Sequence, residues 1–182
     1  MNQLQLREAT FDDANLIAQL HTRSWQVAYR DILPAHYLNN VAPVERETLW
    51  KRRFHYDNHL WVTLALWEGE PVGFVCVLPD GEPERGILLD NLHVMQGQQG
   101  RGIGKRLLLA AAAYVHQHFP GKAMHLWVYE DNHEARRFYS RMGGQMVDRE
   151  KVVTAADSKA VALCYRWSPE AVAERAQDMA AA

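Results

Sequence analysis

Between Gly86 and His118 an apolar run, GILLDNLHVM, meets the glycine-rich QGQQGRGIG and then a helix-spaced apolar series, LLLAAAAYVHQH. A strand cannot continue through Gly97, Gly100, Gly102 and Gly104, because glycine has no side chain to pack and loses the most backbone freedom on ordering. The segment is therefore a strand, a loop and a helix opening near Gly102, and it commits the chain to layering helices on a sheet. It also makes a chemical commitment. The first N–H groups of a helix have no internal acceptor, and the helix dipole favours negative charge there. Arg101, Lys105 and Arg106 add positive charge around the same point. The loop is built to hold an anion.

The remaining segments fit around this unit. LQLREA, Leu4 to Ala9, alternates as a strand. Thr10 with Asp13 three residues on is a helix-start pair, and FDDANLIAQLHTRSW follows at helical spacing. YRDILPAHYL breaks near Pro34 and restarts as a short helix. PVERETLWKRRF opens on Pro43, suited to a first helical turn. HLWVTLALW, EGEP and VGFVCVLP form a hairpin, and DGEPER, Asp80 to Arg85, is a second turn. The helix from Gly102 ends at Pro120-Gly121, and AMHLWVY is a strand. NHEARRFYSRM is a helix stopped by Gly143-Gly144, and QMVDREKVV with KAVALCYRW closes a hairpin. Ser168-Pro169-Glu170 starts a last helix whose alanine-rich remainder is expected to fray. The expected fold is a single mixed α/β (α+β) domain over residues 1–168. Its mainly antiparallel sheet has about seven strands and helices on both faces, and 169–182 is a short helix or tail.

A chain of 182 residues with 48% apolar and 23% charged residues can bury a core without disulfides. A net charge of −2 gives no reason to expect nucleic acid or a membrane surface as partner. Cys76 and Cys164 each sit in a strand-like run and read as small buried residues. The polar start, NQLQLREA, is no secretory leader, and no apolar run reaches membrane-spanning length, so the expected compartment is the cytoplasm. His55 and His59 are four apart, but HYDNHLW looks like a turn into a strand and no third ligand is evident, so no metal is expected.

Two familiar phosphate loops fail against the glycines. A P-loop counted back from Gly104-Lys105 would need glycine at Gln99 and Ser or Thr at Arg106. A dinucleotide fingerprint begun at Gly100 or Gly102 meets Lys105 or Leu107 where its third glycine belongs. The spacing that fits is Gln99-x-x-Gly102-x-Gly104 after LHV. Downstream, VYEDNHEARRFYSRMGG supplies Asn132, Ala135, Phe138, Tyr139 and Gly143, with Asn132 and Tyr139 two helical turns apart on one face. In these two motifs, about 30 residues apart with a strand between, the chain resembles the GCN5-related N-acetyltransferase family.

The resemblance implies acetyl-coenzyme A as co-substrate, with its pantetheine arm between the splayed strands LLDNLHVM and AMHLWVY. It implies that Gln99, Gly100, Arg101, Gly102, Ile103, Gly104 and Lys105 hold the pyrophosphate. Leu92, His93 and Val94 would lie along the thioester arm, and the Val94 N–H would serve the thioester carbonyl as an oxyanion donor. Asn132 would bond the pantetheine, and Tyr139 would meet the sulfur. The implied reaction is direct acetyl transfer to an amine, in which Tyr139 protonates or hydrogen-bonds the departing thiolate. No nucleophile motif is present. An acceptor ammonium of pKa about 10.4 is neutral in about one molecule in 10³ at pH 7, so a base is useful. Asp90, His93 and Glu130 are candidates. Alternation puts Asp90 and His93 on opposite strand faces, and Asp90 is preferred. Trp25, Tyr29 and Tyr37 are candidates to line the acceptor pocket, against a plain core role.

The leading reading is a small-molecule amine acceptor. The alternatives are a protein lysine or N-terminus as acceptor, and a non-catalytic acyl-coenzyme A sensor, against which Tyr139 argues. A homodimer is an expectation from the family alone. The acceptor, the base and the acyl chain length are not specified by the sequence.

Overall fold

The chain folds into five α-helices and one seven-stranded sheet in the order β1-β2-β3-β4-β5-β7-β6, in a computed structural model that describes residues 3–57 and 59–181. The elements are β1 (Leu4–Glu8), α1 (Ala14–Ala28), α2 (Ala42–Tyr56), β2 (Trp61–Trp67), β3 (Glu70–Glu82), β4 (Gly86–Val94), α3 (Ile103–His118), β5 (Met124–Tyr129), α4 (His133–Arg141), β6 (Gln145–Val153), β7 (Lys159–Trp167) and α5 (Pro169–Ala180). The sheet is mixed and mostly antiparallel, as the sequence implies. β4 and β5 are its parallel pair, and they are joined through two residue pairs, Ile87–Met124 and Leu88–His125.

The chain divides into two compact units. The first holds residues 1–77 and 91–107. Here Thr10 and Asp13 act as read, the Thr10 N–H donating to Asp13 Oδ2 at 2.9 Å, with one 3-10 turn before α1 proper. The break at Pro34 leads through a π-type turn, Tyr37–Val41, straight into α2, whose first turn carries Pro43. β1 and β2 pair antiparallel, and so do β2 and β3, with a bulge at Ala65/Leu66. Ile17, Trp50, Leu64, Phe74 and Leu107 are fully or almost fully buried in this unit.

The second unit holds residues 78–90 and 108–182. β7 lies between β5 and β6, antiparallel to both. Leu89, Met124, Leu126 and Trp167 form its core. α4 stops as expected. The Gly144 N–H returns to the Tyr139 carbonyl at 3.0 Å, and a Cβ at Gly144 would come within 2.7 Å of the Trp167 ring. α5 does not fray before Ala180, because Ser168 caps it through the Ala171 N–H at 3.3 Å and Val172 is buried. Cys76 and Cys164 are both buried and neither is in a disulfide. The turn expected over 80–85 is shorter than read: β3 runs on to Glu82 and β4 starts at Gly86.

Candidate active site

The glycine loop leaves β4 at Val94 and enters α3 at Ile103. Gly100 and Gly102 have φ of +77° and +78°, a region that side-chain-bearing residues rarely occupy. A Cβ built at either would meet nothing within 4 Å, so the protein leaves that space open. The main-chain N–H groups of residues 99–105 make no well-formed hydrogen bond among the described residues, and Gln99 and Gly100 form only a loose turn. The first bond at this end runs from the Arg106 N–H to the Gly102 carbonyl at 3.0 Å. This is a row of unpaired donors at the positive end of a sixteen-residue helix. Of the side chains expected to help, Gln99 and Lys105 are exposed, and the Arg101 guanidinium lies over the Trp67 ring, 5.0 Å from its centroid.

Just before the loop, the Met95 N–H donates to the Val72 carbonyl of β3 at 2.8 Å. Successive N–H groups of a strand point to opposite sides, so the Val94 N–H points away from β3. β3 comes unusually close here. A Cβ at Gly73 would stand 2.5 Å from the His93 carbonyl oxygen, so only glycine permits the approach. That glycine was not singled out from the sequence, although a lone glycine within a strand run is the usual mark of a close backbone approach.

Side chains from α1, α2, β3 and β4 meet around His93. Its Nδ1 is 2.8 Å from Ser24 Oγ on α1. Its ring lies 4.8 Å from that of His21 and 5.3 Å from that of Phe74, at 36° and 38°. The Trp50 indole N–H donates to His21 Nδ1 at 3.0 Å. His21 is 1% exposed and its Nε2 has no partner. Burial, with a smaller contribution from the Arg46 charge, pushes His93 down from 6.5 to about 4. Burial holds His21 well below the usual histidine value, helped by His93, Arg46 and Arg53. Both rings are neutral at physiological pH.

Of the proposed acceptor-pocket aromatics, Trp25 and Tyr29 are half-buried neighbours with ring centroids 5.3 Å apart, and the Arg46 guanidinium covers Trp25 at 4.4 Å. Tyr37 is buried and its hydroxyl donates to Glu45 Oε2 at 2.6 Å, which turns it towards α2. Arg53 Nη1 donates to Asn91 Oδ1 at 3.2 Å on β4. Leu92 and Asp90 are half-buried on the same strand.

In the second unit, Asn132 caps α4, its Oδ1 accepting from the Ala135 N–H at 3.3 Å. Tyr139, two turns on, is 8% exposed and packs against Phe138, Tyr165 and Trp167. Burial raises its hydroxyl above the usual tyrosine value, so it is a protonated acid at any physiological pH. Phe138 is the more exposed of the pair, while Met142 is buried. Glu130 is held by Arg149 through two contacts of 2.9 Å, which lower its carboxyl and keep it ionised. Among the described residues no group of three or more His, Cys, Asp or Glu could hold a metal ion, and no helix is long and apolar enough to cross a membrane.

Comparison with known proteins converges on one family. The model for the acetyltransferase (GNAT) family matches residues 17–144. An uncharacterized N-acetyltransferase of Bacillus subtilis, YuaI, is 32% identical over 130 residues, 70% of this chain and 72% of the relative. The spermine/spermidine N(1)-acetyltransferase of the same organism is 32% identical over 93 residues, 48% of this chain and 61% of the relative. The crystal structure of PaiA N-acetyltransferase from Thermoplasma acidophilum, in complex with coenzyme A, is alike in fold. It gives a TM-score of 0.70 at 17% identity, over 90% of this chain and 99% of that one.

Proposed function

The chain belongs to the acetyltransferase (GNAT) family and is an N-acetyltransferase; from that premise we propose that it moves an acetyl group from acetyl-coenzyme A to a primary amine of a small molecule by direct transfer. The observation that carries the reading is the row of unpaired amides over residues 99–105, facing space that the protein does not fill. A diphosphate supplies the acceptors these donors lack. Gln99, Gly100, Gly102, Ile103, Gly104 and Lys105 hold it, and Arg101 adds charge from its seat on Trp67.

The anchored diphosphate sends the pantetheine arm along β4, past Leu92 and His93. Two features support this path. The pairing of β4 with β5 is short, leaving strand-end donors and acceptors for amides of the arm. The Val94 N–H points away from β3, free to bond the carbonyl oxygen that becomes negative during attack. Asn132 bonds the arm through the amide edge its capping role leaves over. The amine lone pair attacks the acetyl carbon, the C–S electron pair leaves with sulfur, and the Tyr139 hydroxyl donates a hydrogen bond to the departing thiolate. A thiolate whose conjugate acid has a pKa of about 8.5 is too weak a base to deprotonate a tyrosine raised by burial, so Tyr139 stabilises the leaving sulfur as a hydrogen-bond donor and the thiol takes its proton from solvent.

The small-amine acceptor is supported by the relative that is named for spermine and spermidine. A panel of small amines, with released thiol as readout, tests the reading. Turnover with at least one small amine is expected. Tight coenzyme A binding with no turnover across the panel, but with acetylation of a lysine peptide, would replace the acceptor class. Binding without either would leave an acyl-coenzyme A sensor.

A further inference from the structure

We propose that His93 takes the proton released by the attacking amine and passes it through its ring to Ser24, so that α1 supplies the exit of a two-residue proton path. The inference rests on the reading above, in which the acetyl carbon lies at the Val94 amide; His93 and Val94 share a peptide bond.

Geometry selects His93 over its neighbour. Two imidazoles lie with centroids 4.8 Å apart and planes tilted by 36°, and only one of them can shuttle. The indole N–H of Trp50 is a donor and nothing else, so His21 Nδ1 is an acceptor already occupied and its proton sits on Nε2. That N–H is buried without a partner. His21 therefore has neither a free lone pair to receive a proton nor a neighbour to hand one to. His93 has both. Its Nδ1 faces a serine hydroxyl, a group that donates and accepts equally well, and no described residue bonds its Nε2. Ser24 is half-buried, so it is in part accessible to solvent.

The surroundings dictate how the proton moves. The groups around the ring are His21 and Ser24 on α1, Arg46 on α2 and Phe74 on β3, with Arg53 acting on His21 and bonded to Asn91 two residues before His93. Low polarity and nearby cations make an imidazolium unfavourable, so His93 is a poor place to store a proton. It remains a good place to exchange one. In the resting state Nδ1–H donates to Ser24 Oγ and Nε2 offers its lone pair. As the amine nitrogen bonds the acetyl carbon and the C–S electron pair leaves with sulfur, the amine proton goes to Nε2. The Nδ1 proton moves to Ser24 Oγ, whose own proton goes to water. The ring ends as the other neutral tautomer, and it resets by exchange with water after the product leaves. At no point does a charged ring accumulate. Asp90, three residues earlier, lies on the other face of β4 by strand alternation and so competes with His93 as the base rather than sharing the path.

The test uses the full chain, with calorimetry of acetyl-coenzyme A binding beside steady-state rates on whichever amine of the panel turns over. His93→Ala is expected to lower kcat by about 100-fold or more with acetyl-coenzyme A affinity within about twofold, and free imidazole should restore part of the rate. Ser24→Ala is expected to lower kcat about tenfold and to change the solvent isotope effect, and Ser24→Thr should restore both. Asp90→Asn should fall well short of the His93→Ala loss. If His93→Ala does not fold, the Ser24 pair alone decides. Unchanged rate and isotope effect in Ser24→Ala, or a larger loss in Asp90→Asn than in His93→Ala, would overturn the path. Loss of acetyl-coenzyme A binding in the unmodified protein would instead overturn the reading beneath it.

Discussion

The turn that leads into β4 closes on itself, whereas the loop that leaves β4 stays open. At the entry, Arg85 reaches Glu82 at 2.8 Å, Asp148 at 2.9 Å and Glu150 at 3.2 Å, and its guanidinium covers Trp127, whose indole N–H donates to Glu82 at 3.0 Å. Arg166 bonds the Arg85 carbonyl as well. At the exit, residues 99–105 keep their amides unpaired, and the open space over Gly100 and Gly102 is filled by no side chain. Folding normally satisfies polar groups, so a polar cluster that satisfies itself reads as architecture, and one left unsatisfied reads as a place for a ligand. Both flank the same strand, and this makes the contrast testable.

The largest effect should come from filling the open side. Gly102→Asp puts a carboxylate among the donors proposed to hold a diphosphate and a side chain on a backbone at φ +78°. The protein's own atoms do not clash with it, since nothing lies within 4 Å of that Cβ. Acetyl-coenzyme A affinity should therefore fall by about 100-fold or more in calorimetry, while the thermal midpoint drops by only a few degrees. Equal affinity would remove the loop from the site. Next in size is Tyr139→Phe. With the ring cluster of Phe138, Tyr165 and Trp167 kept, kcat should fall about tenfold to 100-fold with acetyl-coenzyme A binding unchanged. A fall in binding with kcat intact would make Tyr139 a packing residue of α4.

The open side was the part most legible in the sequence, because it is local. Strand, glycines and helix follow each other in the chain, and their chemistry needs no tertiary knowledge. The hairpins and the Gly143-Gly144 stop are local in the same sense. The His93 cluster is not. Ser24 and His93 are 69 residues apart, and His21 and Trp50 are 29 apart, so no spacing joins them. Helix periodicity also could not separate Phe138 from Tyr139. Neighbours 100° apart both border the apolar stripe of α4, and it is packing against Tyr165 and Trp167 that draws the tyrosine in. The charges at 82, 85, 148 and 150 were visible as residues, but the pairing register that brings β6 to that turn was not.

A third measurement separates the regions by acid. His93 and His21 in one and His125 in the other are all held below the usual histidine value by burial. The unfolded chain takes up protons near 6.5 that the folded chain refuses, so stability is complete above that pH and declines as pH falls towards 4. For His93 the drop from 6.5 to about 4 corresponds to about 3 kcal/mol. Near His125 the Glu82 carboxylate, 3.7 Å away, favours the charged ring and offsets part of the burial cost. Urea midpoints should therefore fall between pH 7.5 and 5, and His93→Gln should flatten the decline more than His125→Gln. An unchanged slope in His93→Gln would place the acid sensitivity elsewhere.

The smallest effect belongs to the closed side. Arg85→Ala leaves Glu82, Asp148 and Glu150 facing one another without a cation and uncovers the Trp127 ring. The guanidinium is about a quarter exposed, so its ion pairs are partly screened and each contributes no more than about 1 kcal/mol. The expected result is a loss of about 1–2 kcal/mol, a few degrees in the midpoint, shrinking in 1 M salt as the facing carboxylates are screened. Acetyl-coenzyme A affinity should stay within about twofold, because every contact of Arg85 is made to the protein itself. A tenfold loss of affinity would mean that the entry turn transmits its order along β4 to Val94 and the amides beyond it, and the division between a structural and a ligand-holding end of that strand would fail.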